Sequence, residues 1–220
     1  MINMEDCISI THPFKVVLNG KWGFIDETGR EICPCKYDWV YDFCEGLAKV
    51  KLNGKWGFID TSGREICPYK YDWVYDFSKG LAKVKLNNKW GFIDTSGREI
   101  CPIKYDGIGY FYKELSVVKL NNKWGCIDTT GREVCPCIFD FVYITHYRAV
   151  VNLNTHWGVI GYSGDYILPC LFDNVSIDDE IMFATKLAME YTFDLSGECI
   201  GAQALPYDIA AGKPTSLDVG

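Results

Sequence analysis

The chain alternates apolar and polar residues over short stretches separated by turn-forming residues. From Leu81 to Leu86, Ala82, Val84 and Leu86 share one face and Lys83 and Lys85 the other, the period of a strand. Asn87-Asn88 follows, and Asn19-Gly20 and Asn53-Gly54 stand at matching places. Asn and Gly accept the positive φ of a type I′ turn, so each pair predicts a tight hairpin. A second strand runs from Lys89 to Asp94, and Thr95-Ser96-Gly97 turns the chain again. Arg98 to Cys101 reads as a short third strand, which Pro102 should end because proline cannot donate to a ladder. A fourth stretch, Tyr71 to Phe77, places Tyr71, Trp73, Tyr75 and Phe77 on one face, and Ser78-Lys79-Gly80 returns the chain. No segment carries a sustained helical period with caps.

The same pattern recurs along the chain. The Trp of a Trp-Gly pair falls at Trp22, Trp56, Trp90, Trp124 and Trp157, in steps of 34, 34, 34 and 33 residues. An aromatic-Asp marker falls at Tyr37-Asp38, Tyr71-Asp72, Tyr105-Asp106, Phe139-Asp140, Phe172-Asp173 and Tyr207-Asp208. Pro34, Pro68, Pro102, Pro136 and Pro169 each stand three residues before their marker. The sixth copy replaces Trp-Gly by Glu190-Tyr191 yet keeps Asp194-Leu195-Ser196-Gly197. The expected fold is therefore all-β, with about six tandem 34-residue antiparallel β-meander repeats. One such meander cannot bury its own apolar face, so neighbours must stack. The glycine after each Trp fits a close approach that a side chain would block.

This reading gives a lead-in over 1–13, one repeat domain over 14–209 and a loosely ordered tail over 210–220. Two global shapes fit. An open curved array is preferred, since copies two and three are near twins and the degenerate last copy resembles a cap. The alternative is a six-bladed β-propeller, whose first blade Tyr207-Asp208-Ile209 would complete.

Composition narrows the function classes. Apolar residues make up 48% of the chain, as in folded proteins, and aromatics 15%, enough large rings to hold short repeats together. The net charge of −7 and the lack of a basic run argue against nucleic acid as partner. No apolar run approaches the length that spans a bilayer. Met1 to Asp6 carries two acids and no basic start, which points to a cytoplasmic protein. The eleven cysteines then read as reduced thiols.

Lys55-Trp56-Gly57-Phe58-Ile59-Asp60 and Lys89-Trp90-Gly91-Phe92-Ile93-Asp94, each followed by Thr-Ser-Gly-Arg-Glu, resemble the WG repeat family of bacterial type. The resemblance runs over residues 14 to 209. It implies a repeat of variable copy number with no assigned activity, taken as a binding or interaction module. The family motif defines no catalytic residue to carry over. The many cysteines and the loss of Trp-Gly in copy six depart from the pattern.

Trp22, Trp56, Trp90, Trp124 and Trp157 recur in every good copy and read as the structural core ring of the unit. Trp39 and Trp73 differ, because their position reads Trp, Trp, Gly107, Phe141, Asn174 and Ile209 across the copies. A fold that accepts such variety does not demand a ring there, so these two, with Tyr41 and Tyr75, are the candidate binding residues. Cys33, Cys67, Cys101 and Cys135 share one repeat position, and Cys35 and Cys137 complete two Cys-Pro-Cys pairs. That spacing is shorter than zinc pairs use, so buried thiols are expected and no metal. Asp60, Asp94 and Asp128 before Thr or Ser read as turn caps rather than metal ligands. Arg30, Arg64, Arg98 and Arg132 read as a solvated ladder of charge. His12, His146 and His156 stand in no motif, and no phosphate loop, Gly-x-Ser-x-Gly elbow or His-Glu-x-x-His is present. The expectation is a non-enzymatic scaffold without cofactor that binds an unidentified protein through a repeated surface. The alternative is multivalent, lectin-like binding of a carbohydrate or small ligand.

Overall fold

The computed structural model describes residues 13–145, 148–178, 181–205, 207–208 and 213–214. Most of the expected lead-in and tail, together with Ile209, His12 and His146, lie outside them. The described chain forms two compact units, one ending at Tyr105 and the other beginning at Asp106. Each is a series of antiparallel meanders in which strands pair in chain order. Among the described residues no helix is long and apolar enough to cross a membrane.

The first unit holds three sheets: β1 (Phe14–Leu18), β2 (Lys21–Ile25) and β3 (Glu31–Tyr37); then β4 (Trp39–Cys44), β5 (Leu47–Leu52), β6 (Lys55–Asp60) and β7 (Glu65–Tyr71); then β8 (Trp73–Val74), β9 (Leu81–Leu86) and β10 (Lys89–Asp94). The second unit opens with β11 (Gly107–Ile108), β12 (Leu115–Leu120), β13 (Lys123–Asp128) and β14 (Glu133–Phe139). Its next sheet is β15 (Phe141–Thr145), β16 (Arg148–Leu153), β17 (His156–Ile160) and β18 (Tyr166–Phe172). The last full sheet is β19 (Asn174–Ile177), β20 (Ile181–Lys186), β21 (Met189–Asp194) and β22 (Cys199–Ala204). β23 (Tyr207–Asp208) pairs with β24 (Lys213–Pro214) as a separate two-stranded ladder.

The hairpin turns follow from local chemistry. Asn19 and Gly20 take φ of 51° and 73°, and Asn87 and Asn88 take 49° and 64°, the left-handed pair a type I′ turn requires. Copy six reaches the same geometry with Leu187 and Ala188, at 50° and 62°, which side chains with a Cβ adopt at a cost. The turn between the second and third strands is capped by its aspartate. In copy two the Asp60 Oδ1 accepts bonds from the Ser62 amide, the Ser62 hydroxyl and the Arg64 amide at 3.0, 2.6 and 3.0 Å. Asp94, Asp128 and Asp194 repeat the arrangement.

Two strand expectations need correction. The third strand expected over Arg98 to Cys101 is reduced in copy three to isolated bridges, Ile93 with Glu99 and Trp90 with Tyr105, and where the strand is continuous in other copies proline does not end it. β3 runs from Glu31 through Pro34 to Tyr37, with Trp22 opposite Tyr37 and Phe24 opposite Cys33. Three residues thus face Gly23 alone, and proline sits in that bulge, where no amide is needed. The bulge also explains the glycine. A Cβ on Gly23 would lie 2.7 Å from the Cys33 carbonyl oxygen and 2.8 Å from the Cys35 nitrogen, and Gly125 and Gly158 meet the same backbone in their copies. Copy six has no proline here. Tyr191 pairs directly with Ala202, and a side chain is admitted where the other copies carry glycine.

The second correction concerns the fourth stretch. Tyr71, Val74 and Phe77 are buried, whereas Trp73 stands 45% exposed. In the equivalent strand the register slips between Val40, opposite Val50, and Phe43, opposite Ala48. This extra residue breaks simple alternation.

The core lies between successive sheets. Phe24, Cys33 and Tyr37 from the first sheet pack with Val40, Ala48, Val50 and Ile59 from the second. Phe58, Cys67 and Tyr71 from the second pack with Val74, Phe77, Ala82 and Val84 from the third. Two corresponding clusters hold the three sheets of the second unit together.

Candidate binding surface

The outer side of the central strands in the first unit carries lysines beneath aromatic rings. Lys49 and Lys83 are 9% and 8% exposed although they alternate with the core residues. The Lys49 ammonium lies 4.1 Å from the Tyr41 ring centroid and 2.9 Å from Asp76 Oδ2. Lys83 lies 4.3 Å from the Tyr75 ring, and burial pushes its ammonium below the ordinary value. Two residues further along the same side, Lys51 and Lys85 approach Trp56 and Trp90 at 5.5 and 5.2 Å. A cation over a ring face is favourable, and the long lysine stems fill the space between ring and strand.

These rings line two successive clefts. The first, of about 390 Å³, is lined by Asp38, Trp39, Tyr41, Lys51, Gly54, Trp56 and Trp73. The second, of about 480 Å³, is lined by Asp72, Trp73, Tyr75, Lys85, Asn88 and Trp90. Trp73 is common to both. Rings meet edge to face or tilted: Trp56 with Trp73 at 5.8 Å, Tyr41 with Trp56 at 5.7 Å and Tyr75 with Trp90 at 5.9 Å. Trp22 meets Trp39 in the same way at 5.7 Å. Trp39 and Tyr41 are 49% and 40% exposed, and Tyr75 is half-buried.

The structure thus brings all four candidate residues, Trp39, Tyr41, Trp73 and Tyr75, to these clefts. It adds residues that sequence reasoning assigned elsewhere. Trp56 is 6% exposed and belongs to a core cluster, yet it also forms a cleft wall. Trp22, Trp90, Trp124 and Trp157 are half-buried. Lys51 and Lys85 also escaped sequence reasoning, although each sits at the same place in its copy. In the second unit Phe141 stands 47% exposed and meets Trp157 at 6.1 Å, with Tyr143 6.3 Å from the same ring. The signal was present, because Phe141 and Tyr143 occupy the positions of Trp39 and Tyr41.

The carboxylates beside the clefts are already engaged. Asp38 accepts a bond from the Lys21 ammonium at 2.6 Å and from the Gly54 amide at 2.9 Å. Asp72 does the same with Lys55 at 2.5 Å and the Asn87 amide at 2.7 Å. Each therefore ties the preceding sheet to the next hairpin, and the lysine bond first, then the amide, holds Asp38 below the ordinary carboxylate range. The aromatic-Asp marker is an inter-repeat staple. Asp140 repeats it with Lys123 and the Asn154 amide.

The other candidates fall into place structurally. Asp60, Asp94 and Asp128 are turn caps whose second oxygens accept from Arg64, Arg98 and Arg132 at 2.9, 3.0 and 2.9 Å. Arg132 reaches further, donating to the Ser163 and Tyr162 carbonyls. Cys33, Cys67, Cys101 and Cys135 are buried. Among the described residues no group of three or more His, Cys, Asp and Glu is arranged to hold a metal.

A family model described as a WG containing repeat matches residues 22–56, 56–90, 90–124 and 124–146, more than half of the chain. No curated protein gives a significant match. Among solved structures the chain is similar to Kluyveromyces lactis Hsv2, at 8% identity over 74% of this chain and 61% of that one, with a TM-score of 0.36. It is also similar to BamB from Moraxella catarrhalis, at 10% identity over 86% and 75% of the two chains, with a TM-score of 0.32. The chain spans 60 to 64% of the length of the first Hsv2 chains it matches.

Proposed function

The chain belongs to the WG containing repeat family, and on that premise we propose that it is a non-enzymatic scaffold that binds a protein partner through the aromatic clefts of its first unit. The observation that carries this reading is the pair of adjacent, chemically alike clefts that share Trp73. Trp39, Tyr41 and Trp73 are exposed, and the cleft walls are rich in Trp and Tyr, the side chains that dominate protein interfaces. Their charged groups already have partners within the chain, so a partner that covers the rings strands few polar groups. Two like clefts side by side favour one extended ligand or two linked epitopes over a single reacting centre, which needs unequal environments. On this reading the protein uses no cofactor, acts in the cytoplasm, and engages neither nucleic acid nor membrane.

The test is the full-length Trp39→Ala/Trp73→Ala variant in affinity capture from the native cell. The expected result is a wild-type fold by circular dichroism, with recovery of the partner reduced at least tenfold, roughly what loss of one aromatic hot spot produces. Equal recovery by both proteins sinks the assignment of this surface. A glycan array probed with the same two proteins addresses the lectin-like alternative. Binding there that depends on Trp39 and Trp73 replaces the protein partner by a carbohydrate.

A further inference from the structure

In the first two copies the cysteine of the third strand faces a ring across the ladder. Phe24 stands opposite Cys33 and Phe58 opposite Cys67. Copy four breaks this pattern. Cys126 replaces the phenylalanine on β13, and it stands opposite Cys135 on β14. Both side chains are fully buried, and the Cys135 thiol donates to the Cys126 sulfur across 2.9 Å. Among the described residues this is the one ladder position where two cysteines face each other.

We propose that Cys126 and Cys135 are a disulfide-forming pair that clasps the β13–β14 hairpin when the chain folds in the presence of a low-molecular-weight disulfide. Backbone geometry permits it. Directly opposed residues in an antiparallel ladder have Cα atoms about 4.5 or 5.5 Å apart, and both spacings lie inside the range of about 4.4–6.8 Å that disulfides span. The sulfurs need to close by less than about 1 Å to reach the bond length of about 2.05 Å. A bulge flanks the pair on each side, so small side-chain adjustments need not shift a regular ladder.

The chemistry is a two-step exchange. One cysteine thiolate attacks a sulfur of the small disulfide and releases one small thiol. The second cysteine thiolate then attacks the mixed disulfide and releases the other. Two S–H bonds are lost from the protein and one S–S bond is gained. The small disulfide is reduced to two thiols, which carry away the two protons. In the folded hairpin the bond from Cys135 lowers the Cys126 thiol, and the same bond, with burial, raises that of Cys135. Access decides the timing. The two residues are nine apart in sequence, so they meet as soon as the hairpin forms, before the neighbouring sheet covers them. Once Val142, Ala149 and Val151 have packed over the pair, a reagent in solution reaches it only through opening of the sheet.

The experiment refolds the reduced, denatured full-length protein in a mixture of oxidised and reduced glutathione, blocks remaining thiols and maps the peptides by mass spectrometry. The expected product has a Cys126–Cys135 link, and its Tm exceeds that of the same sample refolded with excess dithiothreitol by about 5 °C, from the small loop closed. The Cys126→Phe variant, which restores the residue of copies one to three, loses both the link and the Tm difference. Cys126→Ala serves the same purpose without added bulk. Two blocked thiols at Cys126 and Cys135, glutathione adducts without a link, or a preference for linking Cys135 to Cys137 overturns the proposal. It stands apart from the binding reading, since none of the cleft residues takes part.

Discussion

The two units run the same meander with different priorities. In the unit that ends at Tyr105, Phe24 and Phe58 are fully buried and Trp39 and Trp73 crowd the outside. In the unit that begins at Asp106, the matching positions hold Cys126 and Val159 inside, and Gly107, Phe141 and Asn174 outside. The staples do not change: Asp38, Asp72, Asp140 and Asp173 all accept the amide of the following hairpin. The comparison separates two classes of repeated residue. Backbone-binding aspartates are fixed by geometry that each of these copies reproduces, and bulge glycines by geometry that each bulged copy reproduces. Rings and core side chains drift, because neighbouring sheets can repack around them.

The largest expected contrast lies in the core. Phe58 is fully buried and meets Phe77 at 4.8 Å. Phe58→Ala should cost about 4 kcal/mol, while Cys126→Ala at the matching place should cost about 1 kcal/mol, since far fewer buried atoms are removed. Denaturant unfolding of both variants under reducing conditions measures the difference, and similar losses would mean that the second unit packs that position as tightly as the first.

A smaller loss should separate the bulged copies from copy six. A Cβ on Gly158 would lie 2.6 Å from the Leu168 carbonyl oxygen, so Gly158→Ala should cost about 3 kcal/mol. Tyr191 occupies the same repeat position without the bulge, opposite Ala202, and Tyr191→Phe should change stability by less than about 1 kcal/mol. Thermal melts of the pair check this, and a harmless Gly158→Ala would remove the proposed link between proline bulge and glycine.

The turn caps should divide by burial. The Asp128 side chain is 3% exposed against 19% for Asp60. Asp128→Ala strands the Thr130 and Arg132 amides and should cost about 2 kcal/mol, more than Asp60→Ala. At both residues burial opposes ionisation, but the bonds from Thr130 or Ser62 and from the following arginine outweigh it and hold the carboxyl below the ordinary 3.8. Their stabilising effect is therefore complete above that value and is lost as the pH falls through the lowered one. Urea titrations between neutral and acid pH should show wild type losing this increment and Asp128→Ala lacking it.

The smallest effect is a gain. Leu187 and Ala188 hold the left-handed turn that the other copies begin with Asn and that copies one and two complete with Gly. Leu187→Asn with Ala188→Gly should stabilise the protein by about 1 kcal/mol. No gain in the melting temperature would show that the Asp173 bond to the Leu187 amide, 3.0 Å long, already offsets the strain.

Much of this was legible in the sequence. The 34-residue steps, the type I′ pairs and the aspartate turns are local features, set by side chains within a few residues of the backbone they control. Family membership follows from the same local regularity. Trp39 and Trp73 stood out because copies disagree there. Three things escaped. Alternation put Trp73 on the same face as Tyr71 and Phe77, because an inserted residue leaves no mark in the period. Pro102 reads from the sequence as a strand end, because a bulge is defined by the partner strand and not by the proline. Trp56 and Trp90 were read as core alone, because their place in a cleft depends on the copy packed beside them.

The sequence by itself therefore determined the repeat, its strands and turns and the amino acids each copy must keep, since these rest on short-range backbone chemistry. Only the tertiary structure decided which atoms face one another. It set the bulge against Gly23, the lysines beneath Tyr41 and Tyr75, the clefts that share Trp73, and the two sulfurs of copy four. Those relations arise across strands and between stacked sheets, where contact is set by register and packing rather than by distance along the chain.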